Sequence, residues 1–83
     1  MLRFVWVPGN ISHIAVHDVT PAEAEAAFAA EDFRTGPAEQ KGRHVASATL
    51  AGRVLQLVYA KSGPGEVYVI TAHWVLAKRR KPR

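Results

Sequence analysis

Eighty-three residues, 48% of them hydrophobic and 22% charged, have the balance of one small folded domain, which excludes a disordered chain and a two-domain enzyme. Cysteine is absent, so a disulfide framework, a cysteine-based zinc site and a thiol nucleophile are excluded as well. The formal charge of +4 is unevenly placed: residues 1–77 carry a net −1, and Lys78, Arg79, Arg80, Lys81 and Arg83 supply the remaining +5.

In chain order, Phe4-Val5-Trp6-Val7 reads as a short strand stopped by Pro8-Gly9. Asn10 is expected to cap a short helix from Ile11 to Val16, with Ile11, Ile14 and Ala15 on one face. Thr20-Pro21-Ala22-Glu23 then spells N-cap, N1 proline and N3 glutamate, a capping box in which hydroxyl and carboxylate satisfy orphan amides. The helix it starts should run to about Ala30, burying Ala24, Ala27 and Phe28. Its largely alanine face requires close packing on whatever it covers.

Asp32 to Gly42, polar and broken by Gly36-Pro37, reads as a loop. Three strands follow. Arg43 to Leu50 alternates, with His44, Ala46, Ala48 and Leu50 on one side, and Ala51-Gly52 forms a tight hairpin turn. Arg53 to Lys61 carries Leu55, Leu57 and Tyr59 on one side and Val54, Val58 and Ala60 on the other. After a second hairpin loop at Ser62-Gly63-Pro64-Gly65, Glu66 to Ala72 places Tyr68 and Ile70 opposite Val67, Val69 and Thr71. This is an antiparallel meander of β-favouring residues. Its middle strand is apolar on both sides, so both sheet faces need at least partial cover. Two helices cover one face; a tail, a partner or a second copy covers the other. His73 to Lys78 either continues the last strand or forms a short helix, and its Trp-Val-Leu run suits an interface. The class is therefore a small α+β domain with a protein partner.

Few motifs carry chemistry. His13 and His17 are spaced to share one helical turn, but there is no HExxH and no third ligand, so the expectation is no metal and no cofactor. His13 is expected to pack against the sheet and His17 to end the first helix. No nucleophile elbow or phosphate-cradling loop is present. The opening MLRFVWVPGN has no signal-peptide core, and no stretch approaches the roughly 20 apolar residues of a membrane helix, so a cytoplasmic address without membrane attachment is expected. What remains is an inventory of His17, Arg43, His44, Arg53, Tyr59, His73, Lys78, Arg79 and Arg80. Metal-free RNA cleavage needs a base for the 2′-hydroxyl, an acid for the 5′-oxygen and a cation for the phosphorane, and this inventory holds all three. The bland reading stands beside it: Arg43 and Arg53 as solvated strand ends, Tyr59 as a core residue and the terminal run as a solubilising tail.

Taken as an ordered series, the residues resemble the BrnT toxin family. Phe4-x-Trp6, Asn10, His13-Ile14 and His17-x-Val19 are similar to its opening, and Thr20-Pro21-x-Glu23-Ala24 leading to Phe28 is similar to its acidic helix. Arg43, Gly52-Arg53, the strand ending at Tyr59 and Val69-Ile70-Thr71-Ala72 resemble its meander. The resemblance implies a RelE-like fold, with two short N-terminal helices packed on a twisted antiparallel sheet and a basic C-terminal segment, over residues 1–83. It implies a metal-independent endoribonuclease that inhibits translation in a type II toxin-antitoxin system. The partners would be an RNA substrate and a ribbon-helix-helix antitoxin, with a heterotetramer formed through the antitoxin dimer. In that reading Arg53 and Arg79 clamp phosphate, His73 is acid or base, and Arg43 and His17 orient substrate. Tyr59 stacks on a base, and Lys78, Arg80 and Lys81 follow the RNA backbone. The sequence departs from the family at Val16 and His73, where basic residues are usual, and in its terminal segment.

Two other readings stay open. One is a BrnT-like domain that binds RNA or an antitoxin without cutting. The other is an interaction or DNA-associated domain. A recognition-helix DNA reader is disfavoured, because the longer helix contains Glu23 and Glu25 and no cation.

Overall fold

The computed structural model describes residues 2–75. Two helices and a five-stranded mixed sheet follow one another as β1 (Arg3–Val5), α1 (Pro8–Ala15), α2 (Pro21–Phe28), β2 (Arg34–Pro37), β3 (Arg43–Leu50), β4 (Arg53–Gly63) and β5 (Glu66–Val75). The sheet order is β1-β5-β4-β3-β2, antiparallel throughout except that β1 pairs in parallel with β5.

The segments with the strongest local signals form as their residues dictate. Thr20 caps α2 by accepting from the Glu23 N–H, while the Glu23 carboxylate accepts from the Thr20 N–H. Ala24 and Ala27 are buried against the sheet, and the helix ends at Phe28, two residues earlier than expected. In β3 and β4 the predicted alternation holds: Ala46, Ala48, Leu55, Leu57 and Tyr59 are buried under the helices. Ala51 and Gly52 both have positive φ (51° and 81°), the geometry of a two-residue turn whose twist matches its strands.

Alanine is a poor choice there, because an L-residue with a Cβ costs roughly 1–2 kcal/mol in the left-handed region. Ala51→Asn keeps a side chain that tolerates this conformation. It should stabilise the fold by about 1 kcal/mol and raise the thermal midpoint by roughly 4–8 °C. An unchanged midpoint by calorimetry would remove the strain argument.

Several expectations are corrected. The sheet is mixed and not purely antiparallel, because β1 lies beside β5. The segment Asp32 to Gly42 is not all loop: Arg34–Pro37 pairs with Ser47 to His44 as an edge strand. An edge position tolerates its Gly and Pro, since one side of the ladder is empty. The last strand continues to Val75, which decides between the two readings of His73 onward for the described residues.

A bulge changes the face assignment in β5. Val58 pairs with Thr71 but Tyr59 pairs with Val69, so Ile70 is the extra residue. Beyond it the pleat is out of phase, and Ala72, not Thr71, joins Val67 and Val69 in the core.

Asn10 does not cap α1. The helix starts two residues before it, with Val7 at the N-cap. Asn10 is 3% exposed and bridges three elements: Oδ1 accepts from the Val7 N–H, and Nδ2 donates to the Val5 and Val69 carbonyls. Those carbonyls lie where β1 leaves β5, and the side-chain amide supplies the donors that the departing strand no longer offers. Of the helix face expected in this segment only Ile14 is buried; Ile11 and Ala15 are exposed.

Aromatic rings close the far side of the core. Phe28 meets Phe4, Phe33 and Tyr59 at centroid distances of 5.1, 4.8 and 5.1 Å. Phe4 and Tyr59 meet Phe28 edge-on at 74° and Phe33 lies tilted against it at 34°, arrangements that add to the area they bury. No helix among the described residues is long and apolar enough to cross a membrane.

Candidate functional site

The helices cover only one face of the sheet. Cross-strand pairing assigns residues to the other face in rows. Thr49, Val54 and Val75 form one row; Arg34, Ser47, Gln56 and His73 form the next. Gly36, Val45, Val58 and Thr71 form a third. The middle row is polar and its neighbours are largely apolar, with Val45, Val54 and Val75 exposed.

At one end of the polar row the structure gathers histidines. α1 packs against β5, anchored by the Asn10 bond to the Val69 carbonyl, and the turn after the helix lies beside His73. The His17 and His73 rings have centroids 6.1 Å apart at 61°, and His13 lies 6.3 Å from His17 at 69°. All three side chains are exposed. His13 is therefore not packed against the sheet, as the sequence reading had it. Its ring extends the cluster outward.

The turn carrying His17 is held firmly. The Asp18 and Val19 N–H groups donate to the Ala15 and Ile14 carbonyls, and Asp18 adopts a positive φ of 64°. Asp tolerates that region better than most residues. From β5, the Trp74 indole N–H donates to the Asp18 carbonyl at 3.0 Å. The Arg53 guanidinium lies 3.8 Å above the same indole. In such a cation–π contact the ring quadrupole attracts the guanidinium and holds it over the indole.

The other expected residues are not brought to this point. Arg53 lies on the helix-side face, with Trp74 and Leu55, whereas His73 pairs with Gln56 on the opposite face. Arg43 is at the far end of the β3–β4 hairpin, seven residues of β3 from Leu50, which pairs with Arg53. At about 3.3 Å per residue the strand separates the two arginines by more than 20 Å. The Arg43 guanidinium donates to Gln40. The expected convergence of Arg43, Arg53 and His73 does not occur, because hairpin register and the pleat place them at different ends and on different faces.

Tyr59 is corrected too. It is 4% exposed, stacks on His44 at 5.1 Å, packs against Phe28 and shares a 2.7 Å hydrogen bond with the Thr35 hydroxyl, so the buried ring is not open to a base. Arg79, Lys78, Arg80 and Lys81 lie outside the described residues.

Sequence reasoning missed Arg34. Among the described residues Arg3 is ion-paired with Glu66, Arg43 is bonded to Gln40 and Arg53 rests on Trp74. Arg34 is exposed, makes no ion pair among the described residues, and shares the polar row with His73. With Thr35, Gly36, Val45, Ala46, Ser47 and Gln56 it lines a shallow groove of about 190 Å³. The available signal was the short Arg-Thr after Phe33, but a glycine and a proline directly behind it masked the strand.

Asp32 carries the resolved electrostatic perturbation. The Thr49 hydroxyl and the Thr49 N–H donate to its two oxygens at 2.6 and 3.0 Å and hold its carboxyl below the usual aspartate range, with a smaller contribution from the Arg34 charge. A second concavity of about 470 Å³ lies between the end of α2 and the β3–β4 turn. Glu31 and Asp32 line it, which disfavours a phosphate there. Among the described residues no three His, Cys, Asp or Glu side chains are grouped so as to hold a metal ion.

The fold and site define a small α+β domain with a histidine cluster beside a sheet face that no helix among the described residues covers. No protein-family model, no curated protein and no solved structure matches this chain.

Proposed function

We propose that the protein is a metal-independent endoribonuclease of the BrnT-like, RelE-like kind, acting as the toxin of a type II toxin-antitoxin pair. The observation that carries this reading is the meeting of His17 and His73 at 6.1 Å, on an exposed rim, from a helix end and a strand far apart in sequence. Imidazole is the side chain best suited to give and take protons near neutrality. A phosphodiester seated against both rings, within hydrogen bonds of about 2.8–3.0 Å, would have a base on one side and an acid on the other.

The step balances without a metal. The neutral imidazole takes the 2′-hydroxyl proton, and the 2′-oxygen attacks the adjacent phosphorus. The bond from phosphorus to the 5′-oxygen breaks, and the protonated imidazole gives that oxygen its proton. A 2′,3′-cyclic phosphate and a free 5′-hydroxyl result. The element order, a strand, two helices and an antiparallel meander, is in keeping with the arrangement that the family resemblance implies. Val7, Ile11 and Val16 are exposed on and beside α1, and Val16 is 79% exposed. Val7 and Ile11, one helical turn apart, and Val16 at the helix end are apolar groups that a ribbon-helix-helix antitoxin would cover, with an antitoxin dimer joining two toxins into a heterotetramer.

The test is cleavage of a mixed-sequence single-stranded RNA in EDTA by purified wild type, H17A, H73A and R53A. Each histidine variant is expected to lose 10²–10⁴-fold in rate, the usual contribution of a positioned acid or base. R53A should lose far less, since its guanidinium sits on the other face. An all-deoxy substrate should be inert. Well-folded wild type that cuts nothing would overturn the enzyme reading. The alternative favoured then is a BrnT-like domain that binds an antitoxin or RNA without cutting, for which the usual basic residues replaced by Val16 and His73 already speak.

A further inference from the structure

The polar row that ends at His73 begins at Arg34, and nothing in the ribonuclease reading uses the residues between. Arg34, Ser47 and Gln56 lie on three adjacent strands, cross-paired as Arg34 with Ser47 and Ser47 with Gln56; Gln56 in turn pairs with His73. Three interstrand steps of about 4.8 Å each separate Arg34 from His73. The side chains run from a permanent cation, through a hydroxyl and an amide, to an imidazole. No carboxylate interrupts them. Asp32, two residues before Arg34, has both oxygens engaged by Thr49.

The flanking rows differ in kind. Val45 and Val58 line one side and Val54 and Val75 the other, with Val45 43% and Val54 38% exposed. A cationic polar track between aliphatic shelves matches a polyanion whose charged backbone is continuous and whose flat apolar faces are free. Unpaired RNA has that chemistry. A duplex keeps its base faces stacked inside and would leave the valines uncovered.

We infer that the Arg34–Ser47–Gln56 row is the substrate track of the same site. Arg34 holds a phosphate next to the scissile one, and Ser47 and Gln56 bond the sugar or base edge between them. This rests on the ribonuclease reading for the position of the scissile phosphate, but not for the binding itself. Guanidinium is the fitting group, because its fork donates two parallel hydrogen bonds to a phosphate. Arg34 thus fills the clamp role that the sequence reading gave to Arg53.

The experiment measures binding of a fluorescent, fully 2′-O-methylated single-stranded oligonucleotide, which cannot be cut, across a salt series. R34Q is expected to weaken binding about tenfold and lower the slope of log affinity against log salt by about one. R34K should keep the slope and recover part of the affinity. K61A, on the far end of β4, should bind as wild type. Thermal melts guard against misfolding, and Arg34 is exposed on an edge strand, where its replacement leaves the core intact. Equal affinity and slope for R34Q and wild type would overturn the track, even if H73A abolishes cleavage. The expected R34Q loss in a protein that never cleaves would leave the track standing and remove the ribonuclease. A duplex that competes as well as the single strand would overturn the single-strand assignment.

Discussion

Replacing Asn10 by aspartate is expected to destabilise the protein by about 3 kcal/mol at neutral pH, or on the order of 15 °C in thermal midpoint. The substitution is nearly isosteric, so packing changes little. One carboxylate oxygen can still accept from the Val7 N–H. The other replaces an amide that donates to the Val5 and Val69 carbonyls and faces them with no proton to offer. Two hydrogen bonds vanish, and an anion is placed against two carbonyl dipoles at a buried point. Lost buried partners cost roughly 1–3 kcal/mol each, more where charge is involved.

The pH dependence has a definite sign. Burial among carbonyls favours the protonated form, so the introduced carboxyl has a raised folded-state pKa. The deficit is then smallest below the ordinary aspartate value of about 3.9 and grows as pH rises through the raised one. Urea titrations of N10D and wild type at acid and neutral pH measure both effects. A variant as stable as wild type at pH 7 would mean that the Asn10 bridge contributes nothing.

If the protein cleaves RNA as proposed, Trp74→Phe is expected to lower that cleavage by roughly tenfold, with kcat carrying the loss and KM unchanged. The indole N–H ties the Asp18 carbonyl to β5, and Asp18 follows His17 directly. Phenylalanine retains a ring in the core edge and beneath Arg53 but releases that tie. The turn can then shift, and the His17–His73 spacing loses its constraint. A displacement of an ångström at a reacting group can cost more than any single lost contact would suggest. On that reading Trp74 is a positioning residue, and the kcat-against-KM split distinguishes this from simple unfolding. Trp74→Ala should also cost stability, about 3 kcal/mol, since it removes the ring that Arg53 and the core edge share. W74F protein that cleaves with the wild-type kcat would show that the turn holds itself.

Much of the fold was legible where the determinants are local. Thr20 and Glu23 lie three residues apart, and their reciprocal bonds need only one helical turn to form. The buried faces of β3 and β4 follow from a period of two with a turn between, and a hairpin register is set by that turn. The site was legible only as a set of residue types. His17 and His73 are both in the inventory, but Arg53 and Arg43 stand beside them, with Tyr59 as a weaker candidate, and Arg34 does not stand there at all.

By itself, then, the sequence determined the capped second helix, the hairpin faces and the absence of cysteine chemistry, each through contacts within a few residues. Tertiary structure decided the rest. Pairing of β1 beside β5 is a long-range choice that no local pattern encodes, and it is this pairing that brings α1 against β5. The Ile70 bulge depends on β4 lying alongside; one unpaired residue moves Ala72 into the core and leaves His73 on the open face. The edge strand at Arg34 exists because β3 supplies its hydrogen bonds, which outweigh the poor strand propensity of Gly36 and Pro37. Side-chain chemistry is written residue by residue, but which residues meet is a property of pairing across the whole chain, and the histidine pair and the polar row are both products of that pairing.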